Sequence, residues 1–190
     1  MTERPIIMTT SMVRGILFGR KTQTRRLARR RTCPYGAPGD RLWVRETWAH
    51  HKACNRAEHD HDTGCLLYKA DHIENVWNDK TRWIHIWYEK KPSIHMPRWA
   101  SRILLEIVSV RAERIQDISI EDIHAEGIDR WEDFEGGKHL SVYQAQGAFK
   151  NFWNSLYAKS GYGWDANPVV WRIEFRVLHD LCRAGLPLMK

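Results

Sequence analysis

Residues 15–31 read GILFGRKTQTRRLARRR, and the parsing of this stretch decides between two fold classes. Taken as a phosphate loop of the form G-x-x-x-x-G-K-[ST], it would open a helix on a parallel α/β sheet. Arg20, however, occupies the place of the glycine before Lys21, and Ile16, Leu17 and Phe18 are too bulky for a cradle of backbone amides. The other parse is a helix stop followed by an extended segment. Thr10 or Ser11 caps a short helix with Val13, Ile16 and Leu17 on one face, and Gly19 sits where a left-handed C-terminal residue belongs. RKTQTRR then begins where the helix ends.

Downstream, the Pro/Gly cluster CPYGAPGD (33–40) makes a turn, after which RLWVRETW (41–48) has the aromatic and β-branched content of a strand. CLLYKAD (65–71) and RILLEIVSVRAERI (102–115) are further strand candidates. In SIEDIHAEGI (119–128), Ser119 and Asp122 have capping-box spacing and Gly127 is a stop, which predicts one or two helical turns. Ala145, Phe149, Phe152, Trp153 and Leu156 recur at helical spacing and predict a helix over about 142–158, broken by Gly161 and Gly163. PVVWRIEFRVL (168–178) alternates, with Val169, Trp171, Ile173, Phe175 and Val177 on one side and Arg172, Glu174 and Arg176 on the other. Strands among a few short helices, without regular β-α-β alternation, predict an α+β chain built on a small, partly open β-barrel with one longer C-terminal helix.

A chain of 190 residues with 43% hydrophobic content supports one core, so residues 1–178 are expected to form a single domain. Polar insertions are expected near 50–64 and 129–141, and 179–190 read as a tail. Neither a membrane-spanning apolar run nor a signal-peptide pattern is present, and four scattered cysteines predict reduced thiols in the cytoplasm. From Arg4 to Gly39 there are nine Lys or Arg and no acid. With Glu3 the first 39 residues carry +8 of a total of +7, so the remainder nets −1. An acid-free basic block beside tryptophans and tyrosines predicts a polyanionic partner: RNA, a nucleoside or nucleotide, or single-stranded nucleic acid.

His50, His51, Cys54, His59, His61 and Cys65 are metal-capable, but their spacing matches no closed zinc site and C-x-x-C is missing. No metal or other cofactor is expected. Lys21 and Thr24 can project together from the segment after the helix, and Arg20, Arg25 and Arg26 surround the amine with like charge, which lowers an ammonium pKa. Such a Lys can serve as general base, with Thr24 as nucleophile or oxyanion donor. Glu126 is the candidate carboxylate to orient it. One Lys and one Thr define no motif by spacing alone, and an ordinary basic strand face is the competing reading.

The segments ILFGRKTQTRR, PGDRLWVRETW, IHMPRWASRILLEI, IQDISIEDIHAEGI and NPVVWRIEFRVL together resemble the ASCH family, particularly its phage- and prophage-encoded members. Its G-x-K-x-x-x-R signature is matched by Gly19, Lys21 and Arg25. The resemblance implies a PUA-like barrel whose cleft is bordered by that signature and takes RNA or nucleosides. Small bacterial amidohydrolases of this superfamily deacetylate N4-acetylcytidine with a Lys, a Thr and a Glu, which fall on Lys21, Thr24 and Glu126. In that reading Arg20, Arg25, Arg26, Arg98 and Arg102 hold phosphate or the base edge, and Trp48 and Trp99 are candidate stacking surfaces. A non-catalytic nucleic-acid-binding module and a ribonuclease using His95 or His124 are the alternatives.

Overall fold

The computed structural model describes residues 1–51, 66–71, 88–128 and 142–180. Most of the insertion near 50–64, with its Cys54, His59, His61 and Cys65, the loop 129–141 and the tail from 181 lie outside the described residues.

Two sheets and three helices make up the described fold, which is α+β. Strands β1 (Glu3–Ile7), β2 (Gln23–Leu27), β3 (Arg41–Arg45), β7 (Ile103–Arg114) and β8 (Val169–Asp180) form a five-stranded mixed sheet in the order β1-β3-β7-β8-β2. Only β1 and β3 run parallel. Strands β4 (Trp48–His51), β5 (Leu66–Tyr68) and β6 (Tyr88–Lys91) form a small antiparallel sheet in the order β5-β4-β6. The larger sheet stays open with β1 and β2 as its edges, and the Arg26 guanidinium on β2 donates to the Ile7 carbonyl on β1 at 2.7 Å.

RLWVRETW divides between the two sheets, because β3 stops at Arg45 and β4 starts at Trp48. In β7, Ile103, Leu105 and Ile107 are buried, whereas the exposed Val108 is an extra residue opposite the step from Phe175 to Glu174. Such a bulge switches the inward set, since pleating alternates with a period of two. Beyond it Val110, and not Ser109 as unbroken alternation would require, pairs with the buried Ile173. The alternation of β8 holds only in its centre: Ile173 and Phe175 are buried, but Val169 and Val177 are exposed. Val170, on the opposite face, is fully buried because the helices pack there. The strand also runs to Asp180, two residues into the expected tail.

Helix α1 (Thr10–Leu17) is capped by Thr9, whose hydroxyl accepts from the Met12 amide, and Gly19 after it has φ +69°. Its Met12, Val13 and Ile16 join Ile6, Leu42, Leu105, Ile173 and others in the main core. Helix α2 (Ile120–Ala125) is capped by Ser119, which accepts from the Asp122 amide at 3.2 Å. Helix α3 (Val142–Tyr157) buries Ala145, Phe149 and Trp153 against Ile115, Ile123 and Val170, while Leu156 is left exposed. No helix among the described residues is long and apolar enough to cross a membrane.

Candidate functional site

Lys21 lies in the short link between α1 and β2, and backbone hydrogen bonds fix that link from three directions. Its amide donates to the Gly15 carbonyl at 2.9 Å, the Thr22 amide to Ala125 at the end of α2 at 2.9 Å, and the Phe175 amide of β8 to Thr22 at 2.8 Å. The link is thereby held against the turn that carries Glu126 and Gly127. A methyl group on Gly15 or on Gly127 would each approach the Lys21 Cβ to 3.1 Å, so both glycines let backbone close on this side chain.

The side chains meet in the interior. Lys21 Nζ donates to Glu126 Oε2 at 2.7 Å and to the Glu126 carbonyl at 3.0 Å, and Lys21 is 1% exposed. Burial pushes the Lys21 pKa below its ordinary value of 10.5, Glu126 pulls the other way, and Arg26 and Arg25 add to the lowering. The expected pairing of Lys21 with Glu126 is therefore present in space. Thr24 is completely buried, and its Oγ1 has no hydrogen-bond partner among the described residues.

Thr24 and Arg26 share one face of β2, and across the strand pair they oppose Ile173 and Trp171. Arg26 Nε and Trp171 Nε1 also lack partners among the described residues, which leaves one hydroxyl and two N–H donors on this face unpaired there. Each such group costs about 1–3 kcal/mol while it stays unpaired. Nearby, Ser11, Met12, Glu126, Gly127, Ile128 and Phe152 line a shallow cleft. Arg26 reaches toward it through contacts to the sulfurs of Met8 at 3.2 Å and Met12 at 3.9 Å.

The other predicted residues are spread more widely. Arg25 is buried and pairs with Glu113, Asp122 and Glu126. Arg102 is also buried, held by both oxygens of Glu46 at 2.8 and 3.1 Å and by Asp71 at 2.7 Å. These two arginines, expected to meet phosphate or a base edge, instead neutralise carboxylates inside the fold. Arg20 stacks over the Phe18 ring at 4.9 Å, and Arg98 pairs with Glu3 at 2.9 Å. Trp48 is 2% exposed, packed with Met96 and Ala100, so its ring is core. Trp99, 64% exposed, meets Trp48 edge-on and remains open for stacking. His95 belongs to the 93–95 turn and His124 to α2.

Sequence reasoning missed Asp122, Glu113, Gln23 and Arg172. Asp122 and Glu126 are four apart, a spacing that puts both carboxylates on one side of a short helix and was legible. The other partners depend on the register in which Arg25 faces Arg172, which no single segment reveals. Burial raises the Asp122 pKa, but Gln23, Arg25 and Arg172 outweigh it and the net displacement is downward. No group of residues suited to hold a metal ion occurs among the described residues.

No family model and no curated protein matches the chain. Among the solved structures similar to it are an ASCH domain and a DUF984 protein. One is an ASCH domain from Lactobacillus crispatus JV V101, with 16% identity and a TM-score of 0.44 over 94% of this chain and 79% of that one. The other is protein EF3133 from Enterococcus faecalis V583, of the DUF984 family, with 10% identity and a TM-score of 0.46 over 90% of this chain and 71% of that one. At these scores neither likeness bears on the site, whose chemistry rests on the residues above.

Proposed function

We propose that this chain binds RNA or a modified nucleoside at the cleft beside Glu126 and hydrolyses an exocyclic amide on a cytosine base, as in N4-acetylcytidine. The observation that carries the reading is a buried Lys21 paired to Glu126 at 2.7 Å, three residues before a buried threonine hydroxyl that has no partner among the described residues. Lys21 Nζ bonds Glu126 and not Thr24 Oγ1 in this structure, so the reading requires substrate entry to bring the two within reach; Lys21 as the free amine then takes the proton of Oγ1, which attacks the acetyl carbonyl. The tetrahedral intermediate collapses as Lys21 returns the proton to the departing N4, leaving an acetyl ester on Thr24. Water, deprotonated by Lys21, then releases acetate and restores the hydroxyl. Arg26 Nε and Trp171 Nε1 supply donors for the acceptor edge of the base. Because Lys21 and Thr24 lie beneath the surface, side chains such as Met12 and Phe152 turn aside to admit the substrate. Exposed Arg29, Arg30 and Arg31 hold phosphates of a longer RNA.

The test is acetate release from N4-acetylcytidine. Wild type should turn over, whereas Lys21→Arg, which keeps the charge but stays protonated, should bind nucleoside and lose at least about a hundredfold in rate. Thr24→Ala and Glu126→Gln should each lose most of the rate as well. Full activity of Lys21→Arg would end the general-base assignment.

The near-complete burial of Lys21 favours a second reading, a non-catalytic nucleic-acid-binding module in which the Lys21–Glu126 pair is an internal strut. Binding of RNA by a wild type that releases no acetate would establish it in place of the first.

A further inference from the structure

Glu126 is shared. One oxygen, Oε2, faces Lys21, while Oε1 accepts from Arg25 Nη1 at 3.2 Å. The same guanidinium donates through Nη2 to Asp122 Oδ2 at 2.6 Å and through Nε to Glu113 Oε1 at 2.7 Å. Asp122 is fixed in turn, because Arg172 Nη2 donates to its Oδ1 at 2.7 Å and Gln23 Nε2 to its backbone carbonyl at 2.7 Å. Arg172 Nε closes the circuit on Gln23 Oε1 at 2.8 Å. Arg25, with 1% of its side chain exposed, thus ties Glu126 to a lattice spanning α2, β2, β7 and β8.

We infer that Arg25 is a positioning residue of this site: it aims Glu126 at Lys21 through Oε1 and keeps that carboxylate compensated when Lys21 is the free amine. The inference rests on the reading of Lys21 as a base. A buried Lys–Glu pair that loses its ammonium proton leaves an uncompensated carboxylate, a costly state that holds the proton on the amine. Arginine does not deprotonate, so a guanidinium on the second oxygen removes that obstacle. The charged groups that face Lys21 are Glu126 at the end of α2, and Arg25 and Arg26 from β2; α1 contributes only the Gly15 backbone. Of these, Arg25 alone is shown bonded to the carboxylate that Lys21 uses.

The experiment follows Lys21 itself, by its side-chain NMR signal in the full chain, assigned through its loss in Lys21→Arg. In Arg25→Gln the titration midpoint of Lys21 should rise by about one unit, a tenfold change in proton affinity. Acetate release at pH 7 should fall about tenfold with KM unchanged and recover as pH is raised. Arg25→Lys, which retains the charge if the neutral variant fails to fold, should keep the midpoint low. An ammonium cannot span three carboxylates in a fixed fork, so kcat should still drop about fivefold at constant KM. An unmoved midpoint in folded Arg25→Gln, or a kcat unchanged in Arg25→Lys, would overturn the inference. A KM that rises at constant kcat would also overturn it, making Arg25 a substrate contact. If wild type releases no acetate, the proposed reaction falls, and the NMR midpoints alone decide whether Arg25 governs Lys21.

Discussion

Gly127 and Gly19 both adopt left-handed backbone, with φ of +81° and +69°, yet they have different neighbours. A Cβ at Gly19 meets nothing within 4 Å, whereas one at Gly127 would press on the Lys21 Cβ at 3.1 Å. Backbone preference alone costs an alanine about 1–2 kcal/mol at either position. Gly19→Ala should therefore lose about 1 kcal/mol in urea unfolding and leave the Lys21 titration where it was. Gly127→Ala should lose about 1 kcal/mol more, since overpacking adds to the backbone cost, and should displace Lys21 from Glu126. Equal losses, with the Lys21 signal unaltered in both, would show that the turn does not press on the amine. Sequence alone marked Gly19 and Gly127 as helix stops, which they are. That Gly127 also walls in a lysine more than a hundred residues away is a tertiary fact, invisible to local patterning.

At the scale of the element, α2 is too short to be stable alone and depends on its cap and on the carboxylates it presents to β2 and β8. Asp122 has its folded pKa depressed, so its ion pairs add stability that is complete above the unfolded carboxyl value of about 3.9 and disappears as pH falls through the lower folded value. Wild type should lose stability steeply between about pH 5 and the folded pKa, and Asp122→Asn should flatten that part of the urea-unfolding profile while being less stable at pH 7. Parallel profiles for the two proteins would mean that Asp122 is not the acid-sensitive group. The cap at Ser119 and the length of α2 were legible in SIEDIHAEGI because capping chemistry is local. Strand β1 was not, since its five residues include one buried side chain and its pairing with β3 is parallel and distant. The alternation of β8 misled at its ends, where Val170 is claimed by the helices and Val169 by solvent, because sequence period alone cannot say which face of a strand is covered.

Across the whole molecule, the basic excess of the first 39 residues is smaller in effect than in count. Arg25 is consumed by three carboxylates and Lys21 by Glu126, while Arg26 is half-buried and tied through Nη2 to the Ile7 carbonyl at the seam between the sheet edges. What remains exposed together is Arg29, Arg30 and Arg31, just past the end of β2 on the strand that carries Thr24, with Arg29 lying over the Tyr162 ring at 5.3 Å. In the proposed reading, the phosphates of a bound RNA strand meet this cluster and displace counterions there. For single strands each neutralised phosphate contributes about −0.7 to the slope of log affinity against log salt. The triple variant of these arginines to alanine should thus lower the slope by about 2 in magnitude and weaken binding of single-stranded RNA at low salt, with little change for a free nucleoside, which offers no phosphate. Measured by fluorescence anisotropy from low to moderate salt, an unchanged slope in the triple variant would place the electrostatic footprint elsewhere. An equal loss for the free nucleoside would mean that the cluster shapes the cleft itself and is not its approach.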